Sequence, residues 1–328
     1  MSFRAILATR ADDGAIHASL QTLEDDALSE GGVTVAVEWS TLNYKDAVAL
    51  AGPQIIQIFP LVPGIDFAGT VLDSEDPRYS PGDKVVATGW GLSQTHHGGY
   101  AQRARVPADW LIKLPATLGT RDAMAIGTAG FTAMLSVLAL EHGGVTPDRG
   151  DILVTGASGG VGSIAITLLA ALGYRVAAST GKPDEADYLR ALGATEILDR
   201  APLSAEGKPV GPERWAGAVD SVGGRTLANV LAQTRYRGTV TTCGFVAGVE
   251  LPATVLPFIL RGVTLAGIDS VNAPHALREA AWHRLAEHLD LAKLATTITE
   301  VGLADVFDAA AEMRQGKAKG RTLVDVNR

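Results

Sequence analysis

The chain has 328 residues, 47% hydrophobic and 20% charged, with 36 acidic against 28 basic side chains and a formal net charge of −8. That length suits two hydrophobic cores, and the acidic balance argues against nucleic acid, which is gripped by neutralising phosphates with a basic face. The single cysteine, Cys243, excludes a disulfide framework and a four-thiolate zinc site and fits a reducing compartment.

In chain order, the opening MSFRAILATRADDG has no apolar stretch ahead of its charges. No run is expected to approach the roughly 18 apolar residues of a membrane span, so a soluble, cytoplasmic protein is the expectation. Up to Leu118, the runs VTVAVEWSTLN, GIDFAGTVLDS, GDKVVAT and GGYAQRARV are β-branched or alternating and separated by Gly, Pro and Asp turns. They predict a compact, mostly β domain. His96 and His97 sit side by side on an extended segment, which points them to opposite faces, and no Cys or acid is spaced to complete a set. No metal is expected there.

Beyond Leu118, strand-like and helix-like segments alternate. DILVT leads into a glycine-rich loop and the apolar stretch Val161 to Leu172; RVAAS, a helix from Pro183, TEIL, GAVDSVG, GTVTTCG and GVTLAG follow. These strands with intervening helices predict a doubly wound parallel sheet. Ala273 to Leu294 reads as one amphipathic helix and the closing GRTLVDV as a strand. The expected α/β assembly is a β-rich domain, residues 1–118 and 296–328, interrupted by a Rossmann domain, residues 119–295.

The loop VTGASGGVG, residues 154–162, stands between strand and helix, where Ser158, Gly159, Gly160 and Val161 can offer backbone N–H groups to a pyrophosphate. A Walker A loop needs Lys before Ser, and Ser163 follows Gly162. A short-chain dehydrogenase needs a Tyr with Lys four residues on, and no tyrosine here has one. The first glycine of the dinucleotide fingerprint falls on Ala157, small enough for the turn. At the end of the second strand, where an acid commonly binds the NAD ribose, this chain has Ser179, Thr180, Gly181 and Lys182, with Arg200 after the third strand. Hydroxyls and cations suit a 2′-phosphate, so the expected cofactor is NADPH.

The β domain followed by a Rossmann domain, with PGIDFAGTV, GDKV, GTAGFTA, GASGGVG and GRTLVDV in that order, resembles the medium-chain dehydrogenase/reductase superfamily over essentially the whole chain. The resemblance makes the first domain GroES-like. Zinc-dependent members carry Gly-His-Glu where this chain has Gly64, Ile65 and Asp66; Ile65 cannot bind metal, which implies a zinc-free member of the quinone oxidoreductase and enoyl reductase branches. STLNYKDAVALAG and AGIDSVNAP look most like the prokaryotic acryloyl-CoA reductases, whose NADPH-dependent reaction yields propionyl-CoA.

A zinc-free nicotinamide site favours an alkene already activated by conjugation. Hydride adds to the β-carbon, the thioester oxygen takes up negative charge that donors must stabilise, and a proton then reaches the α-carbon. Asn43 after its strand either donates to the thioester or ribose, or caps the next helix. Tyr44 is a proton donor or, the preferred reading, packs on the nicotinamide; it stands at a proline position of related mitochondrial enoyl reductases, whose tyrosine acid corresponds to Gln54. Water is the other proton source. Asp46 either orients its neighbours or answers the helix dipole. By position, Cys243, Gly244 and Phe245 after the fifth strand, then Ile268 and Ser270, are expected along the nicotinamide, with Cys243 a small neighbour and not a nucleophile. Arg321, with Lys319, is expected either at the cofactor and CoA phosphates or in a structural bridge between domains. Phe59, Trp90 and Phe131 are candidates for a small acyl pocket. The apolar edge strand GVTLAG predicts a homodimer. A quinone or alkenal reductase, or a non-catalytic NADPH-binding protein, are the alternatives; basic residues such as Arg103, Arg105, Lys319 and Arg321 at a cleft mouth would favour CoA.

Overall fold

In the computed structural model the described residues, 1–52 and 54–328, form two compact units. Unit 1 is Met1–Thr128, Ser270–Ala286 and Thr297–Arg328; unit 2 is Ala129–Asp269 and Glu287–Thr296. The strands are β1 (Ser2–Arg10), β2 (Ile16–Glu24), β3 (Val33–Leu42), β4 (Asp66–Ser74), β5 (Lys84–Thr88), β6 (Arg103–Val106), β7 (Leu111–Lys113), β8 (Ile152–Val154), β9 (Val176–Thr180), β10 (Glu196–Asp199), β11 (Trp215–Asp220), β12 (Thr234–Thr242), β13 (Thr264–Gly267), β14 (Ile298–Gly302) and β15 (Arg321–Asp325). The helices are α1 (Tyr44–Ala49), α2 (Thr120–His142), α3 (Gly160–Ala171), α4 (Ala186–Leu192), α5 (Ala201–Ser204), α6 (Gly224–Gln233), α7 (Leu256–Arg261), α8 (His275–His288), α9 (Leu291–Ala295) and α10 (Val306–Arg314).

Unit 1 is built on a seven-stranded sheet ordered β14-β15-β3-β4-β5-β7, with β6 also on β3, beside an antiparallel β1-β2 pair. Alternation along β3 sends Val33, Val35 and Val37 inward, where they join Phe67, Val71, Val85, Leu111 and Val324 in one core. Each such side chain contributes about 1.5–3 kcal/mol by leaving water. β15 lies antiparallel to β3, with Thr322 opposite Leu42 and Leu323 opposite Thr41. The register brings Arg321 to the end of β3, where Asn43 follows.

Unit 2 is the expected doubly wound sheet, six parallel strands ordered β10-β9-β8-β11-β12-β13. β8, β9 and β11 are buried at every position, as strands covered on both faces must be. Strand order reverses between β8 and β11, and ligands of such sheets sit at the carboxyl ends beside that reversal.

Three expectations change. The units part between Thr128 and Ala129 instead of after Leu118, and Ser270–Ala286, assigned to the Rossmann domain from sequence, belongs to unit 1. The long amphipathic helix from Ala273 is two helices: Asp290 accepts from Ala292 N at 3.0 Å and Lys293 N at 3.1 Å, starting α9 afresh. Contrary to the sequence reading, Thr120–His142 is long and apolar enough to cross a membrane, with mean hydropathy 1.8, but 89% of its apolar window is buried inside the protein. Its helical path breaks at Gly127, at φ 52° and ψ −161°.

Candidate functional site

In unit 2, the glycine loop turns at Gly156, whose φ of 60° is the left-handed conformation a side chain resists. Gly156, and not Ala157, thus makes the turn of the fingerprint's first glycine. Ala157 N donates to Ser179 O at 3.2 Å and so joins the loop to the end of β9. At Gly162 a Cβ would lie 2.7 Å from Ala157 Cα, so only glycine lets α3 pack this closely on the turn. Ser163 N is bonded to Gly159 O at 3.0 Å; the N–H groups before it have no intrahelical acceptor, the feature that makes a helix start a phosphate cradle. Ser158 is 9% exposed, Gly160 and Val161 half-buried and Gly159 exposed.

At the end of β9, Ser179 and Thr180 are buried and Thr180 Oγ1 accepts from Lys182 N at 3.1 Å. Lys182 Nζ pairs with Glu185 at 3.5 Å, which meets part of its charge. Arg200 lies over Gly181: a Cβ there would stand 2.7 Å from the guanidinium carbon. Arg200 has no carboxylate partner among the described residues. Open helix-start donors, two hydroxyls and a cation on a glycine together fit a dinucleotide carrying a 2′-phosphate.

The strand ends beside the loop are stitched by residues that sequence reasoning missed. Thr155 Oγ1 donates to Asp220 Oδ1 at 2.6 Å, Ser221 Oγ to Thr155 O at 3.0 Å and Gly223 N to Asp220 Oδ2 at 2.8 Å. Asp and Ser at a predicted strand end in GAVDSVG were the available signal. Gly244 crosses directly over Ser221, and Phe245 is 67% exposed. Cys243 Sγ donates to Asp220 O at 3.5 Å, and burial, then the charge of Asp220, pushes its thiol up to about 12. A thiol so rarely ionised is inert. Iodoacetamide at pH 7.5 should therefore label native Cys243 at least about tenfold more slowly than a free thiol; labelling at the free rate would contradict this.

In unit 1, a buried polar cluster gathers around Asn43. Its Nδ2 donates to Thr41 Oγ1 at 3.0 Å, Asp46 Oδ2 at 3.1 Å and Asp66 Oδ2 at 3.1 Å, while its Oδ1 accepts from Arg321 Nη1 at 3.2 Å. Asn43 N donates to Asp46 Oδ2 at 3.0 Å, the return bond of a capping box that starts α1. Asp66 also accepts from Thr41 Oγ1 at 2.7 Å and Thr128 N at 2.8 Å. The break at Gly127 frees that N–H, and a Cβ there would stand 2.6 Å from Arg321 Nη2 and 3.0 Å from Asp66 Oδ2. Burial, then the charge of Asp66, pushes Asp46 up to about 7. Tyr100 donates to Thr41 O at 3.1 Å, and burial raises its phenol well above the usual value.

The cluster gives the candidate residues different surroundings. Asn43 spends its amide inside, and Asp46 faces the interior at 0% exposure. Arg321, considered for CoA phosphates, is 2% exposed and donates to Ala125 O at 2.9 Å, so its guanidinium stays within unit 1. Tyr44, by contrast, is 50% exposed. Lys319 is exposed; Arg103 pairs with Asp25, and Arg105 donates to Thr34 Oγ1 at 3.2 Å. The aromatic candidates lie apart in character: Arg10 covers Phe59 at 4.8 Å, Trp90 stacks on Trp110 at 6.1 Å, and Phe131 is fully buried in unit 2. His96 and His97 serve the fold, bonding Arg105 O at 2.8 Å and Val62 N at 2.9 Å, and burial lowers both imidazoles. Among the described residues, no group of three or more His, Cys, Asp or Glu is gathered as a metal would need.

Residues 29–116 match the alcohol dehydrogenase GroES-like domain, and residues 160–287 match the zinc-binding dehydrogenase family. The chain is 52% identical to acrylyl-CoA reductase AcuI of Ruegeria pomeroyi, over 99% of each chain. It is 45% identical to the putative quinone oxidoreductase YhfP of Bacillus subtilis, over 98% of each; the crystal structure of yhfP with NAD bound has a TM-score of 0.96 and covers 99% of this chain and 100% of that one. The yhdH oxidoreductase from Salmonella enterica in complex with NADP is 51% identical, with a TM-score of 0.96, covering 99% of this chain and 100% of that one. With both domains, their order and the glycine loop in agreement, the chain belongs to the medium-chain dehydrogenase/reductase superfamily.

Proposed function

We propose that this chain reduces the carbon–carbon double bond of acryloyl-CoA to give propionyl-CoA, with NADPH as reductant. The near-full-length likeness to the Ruegeria pomeroyi enzyme carries the substrate, and Arg200 over Gly181 supports the 2′-phosphate. NADPH, when bound, supplies the hydride, which goes to the β-carbon of the thioester. The helix-start N–H groups of Gly160 and Val161, with Ser158 and Gly159, hold the pyrophosphate; Ser179, Thr180, Gly181, Lys182 and Arg200 hold the 2′-phosphate end; Cys243, Gly244, Phe245, Ile268 and Ser270 border the nicotinamide. Tyr44, exposed at the start of α1, touches the nicotinamide or donates to the thioester oxygen; Asn43 and Asp46 shape the turn that presents it. The α-carbon proton comes from Tyr44 or water. Lys319 is the exposed cation for CoA phosphates. The site is read as zinc-free, because Ile65 offers no ligand and both Asp66 oxygens are occupied by Thr41, Asn43 and Thr128.

A reductase of quinones or alkenals is the second reading, favoured by one observation: of Arg103, Arg105, Lys319 and Arg321, only Lys319 is exposed. The test is NADPH oxidation with acryloyl-CoA, crotonyl-CoA, free acrylate and a benzoquinone in parallel, repeated with NADH. Turnover confined to acryloyl-CoA with NADPH is expected; turnover of quinone alone moves the chain to the second reading. The protein is read as cytoplasmic, where NADPH and CoA esters are held. It is also read as a homodimer through the β13 edge of unit 2, whose neighbours Val255, Ile259 and Leu260 are 66%, 70% and 61% exposed. Light scattering that returned a monomer mass would remove that reading.

A further inference from the structure

Arg278 on α8 is 1% exposed and was not singled out by sequence. A guanidinium carries five N–H donors in one rigid plane, and all five have acceptors here. Nε donates to Ala273 O at 2.9 Å; Nη1 donates to Thr88 O at 2.7 Å and Thr88 Oγ1 at 2.9 Å; Nη2 donates to Ser270 O at 3.2 Å and Val271 O at 2.7 Å. Three acceptors belong to the segment 270–273 and two to the last residue of β5. The same guanidinium lies 4.3 Å over the Trp90 ring, whose neighbour Trp110 stacks nearly parallel at 6°.

The segment is pinned from below as well. Trp90, at φ 54°, donates its N–H to Val271 O at 2.9 Å. Gly89, at φ 71°, lies so close that a Cβ would stand 2.8 Å from Val271 Cα and 2.9 Å from Ser270 O. Burying a guanidinium carries a desolvation penalty that apolar packing avoids; what the planar fork provides is fixed geometry for four carbonyls at once.

We infer that Arg278 is a positioning residue for the nicotinamide end of the cofactor: it fixes Ser270–Ala273 on Thr88–Trp90 and so sets the place of Ser270, the residue of that segment read above as bordering the ring. The inference rests on the NADPH reading above. It acts through the backbone of that stretch, not by touching the cofactor.

The test compares Arg278→Met, Arg278→Lys and Gly89→Ala with the unaltered full-length protein. Each is titrated with NADPH by fluorescence and with adenosine 2′,5′-bisphosphate, which has the 2′-phosphate end but no nicotinamide. In the two Arg278 variants the NADPH Kd should rise about tenfold, the loss of roughly one well-placed hydrogen bond, while the fragment Kd stays within twofold. Lysine should not rescue, because it keeps the charge without the fork. If Arg278→Met does not fold, Gly89→Ala carries the test: it displaces the same segment from the other side with Arg278 in place and should give the same selective loss. Unchanged NADPH affinity in a folded variant, or equal weakening of both ligands, overturns the inference. Unaltered protein that binds neither ligand overturns the cofactor reading and this inference with it, whereas failure of the variants alone leaves the cofactor reading standing.

Discussion

Replacing Arg321 by Met is expected to destabilise the folded protein by about 3–5 kcal/mol, because it leaves buried carboxylates without their cation. Asp46 and Asp66 are both fully buried, and Arg321 reaches them through Asn43 and across Gly127. The loss should also depend on pH in a definite direction. Asp46 is raised in the folded state to about 7, first by burial and then by Asp66. Between its unfolded value of about 3.9 and about 7, the folded chain keeps a proton that the unfolded chain has released. Its contribution to stability therefore falls as pH rises through that window and levels above it. Without Arg321 the ionised form of Asp46 loses a stabilising charge, so the decline continues to higher pH. Urea unfolding at pH 5, 6.5 and 8 should show the smallest gap between variant and native protein at pH 5 and the largest at pH 8. Arg321→Lys should recover part of the gap. A gap below about 1 kcal/mol at every pH, the range of an exposed ion pair, would show that the cluster does not need this cation.

That cluster also marks where the sequence stopped being legible. The six strands of unit 2 were readable because each is a short apolar run closed by a turn residue, and the glycine loop because strand, glycines and helix are adjacent in the chain. Arg321 was placed on its strand correctly, but its burial depends on β15 pairing with β3, a partner far earlier in sequence. Asp66 entered the reading only as the residue after Ile65; the three hydrogen bonds to its carboxylate come from Thr41, Asn43 and Thr128, none of them local. Arg278 looks like any solvated arginine on an amphipathic helix until Thr88 is brought to it. The restart at α9 was different in kind: an Asp two residues before Ala292 is a local cap signal, and it was available in the sequence.

Reversing the charge at Arg200 with Glu is expected to raise the KM for NADPH by about a hundredfold or more while leaving that for NADH within about threefold. The direct loss is a charge-assisted interaction with the 2′-phosphate, about 1.5–3 kcal/mol, or roughly 10- to 150-fold, and repulsion by the new carboxylate adds to it. The other polar groups at this end contribute less: Lys182 is already engaged by Glu185, and the hydroxyls of Ser179 and Thr180 are neutral donors, which hold a phosphate less strongly than a guanidinium does. The fold should tolerate the change, because Arg200 precedes α5 and an acid at a helix start is favourable. Gly181→Ala probes the same contact from beneath. Its Cβ cannot occupy the space that the guanidinium holds, so a smaller loss of NADPH preference is expected with Arg200 still present. Solved relatives of comparable identity are bound to NADP in one case and NAD in another, so fold and overall likeness do not fix the choice of nucleotide. The reading proposed above assigns that choice to Arg200 and the side chains at the end of β9. Initial rates with both nucleotides at matched ionic strength measure it directly. An unchanged NADPH-to-NADH ratio in Arg200→Glu would move the 2′-phosphate contact to Lys182 and the hydroxyls of Ser179 and Thr180.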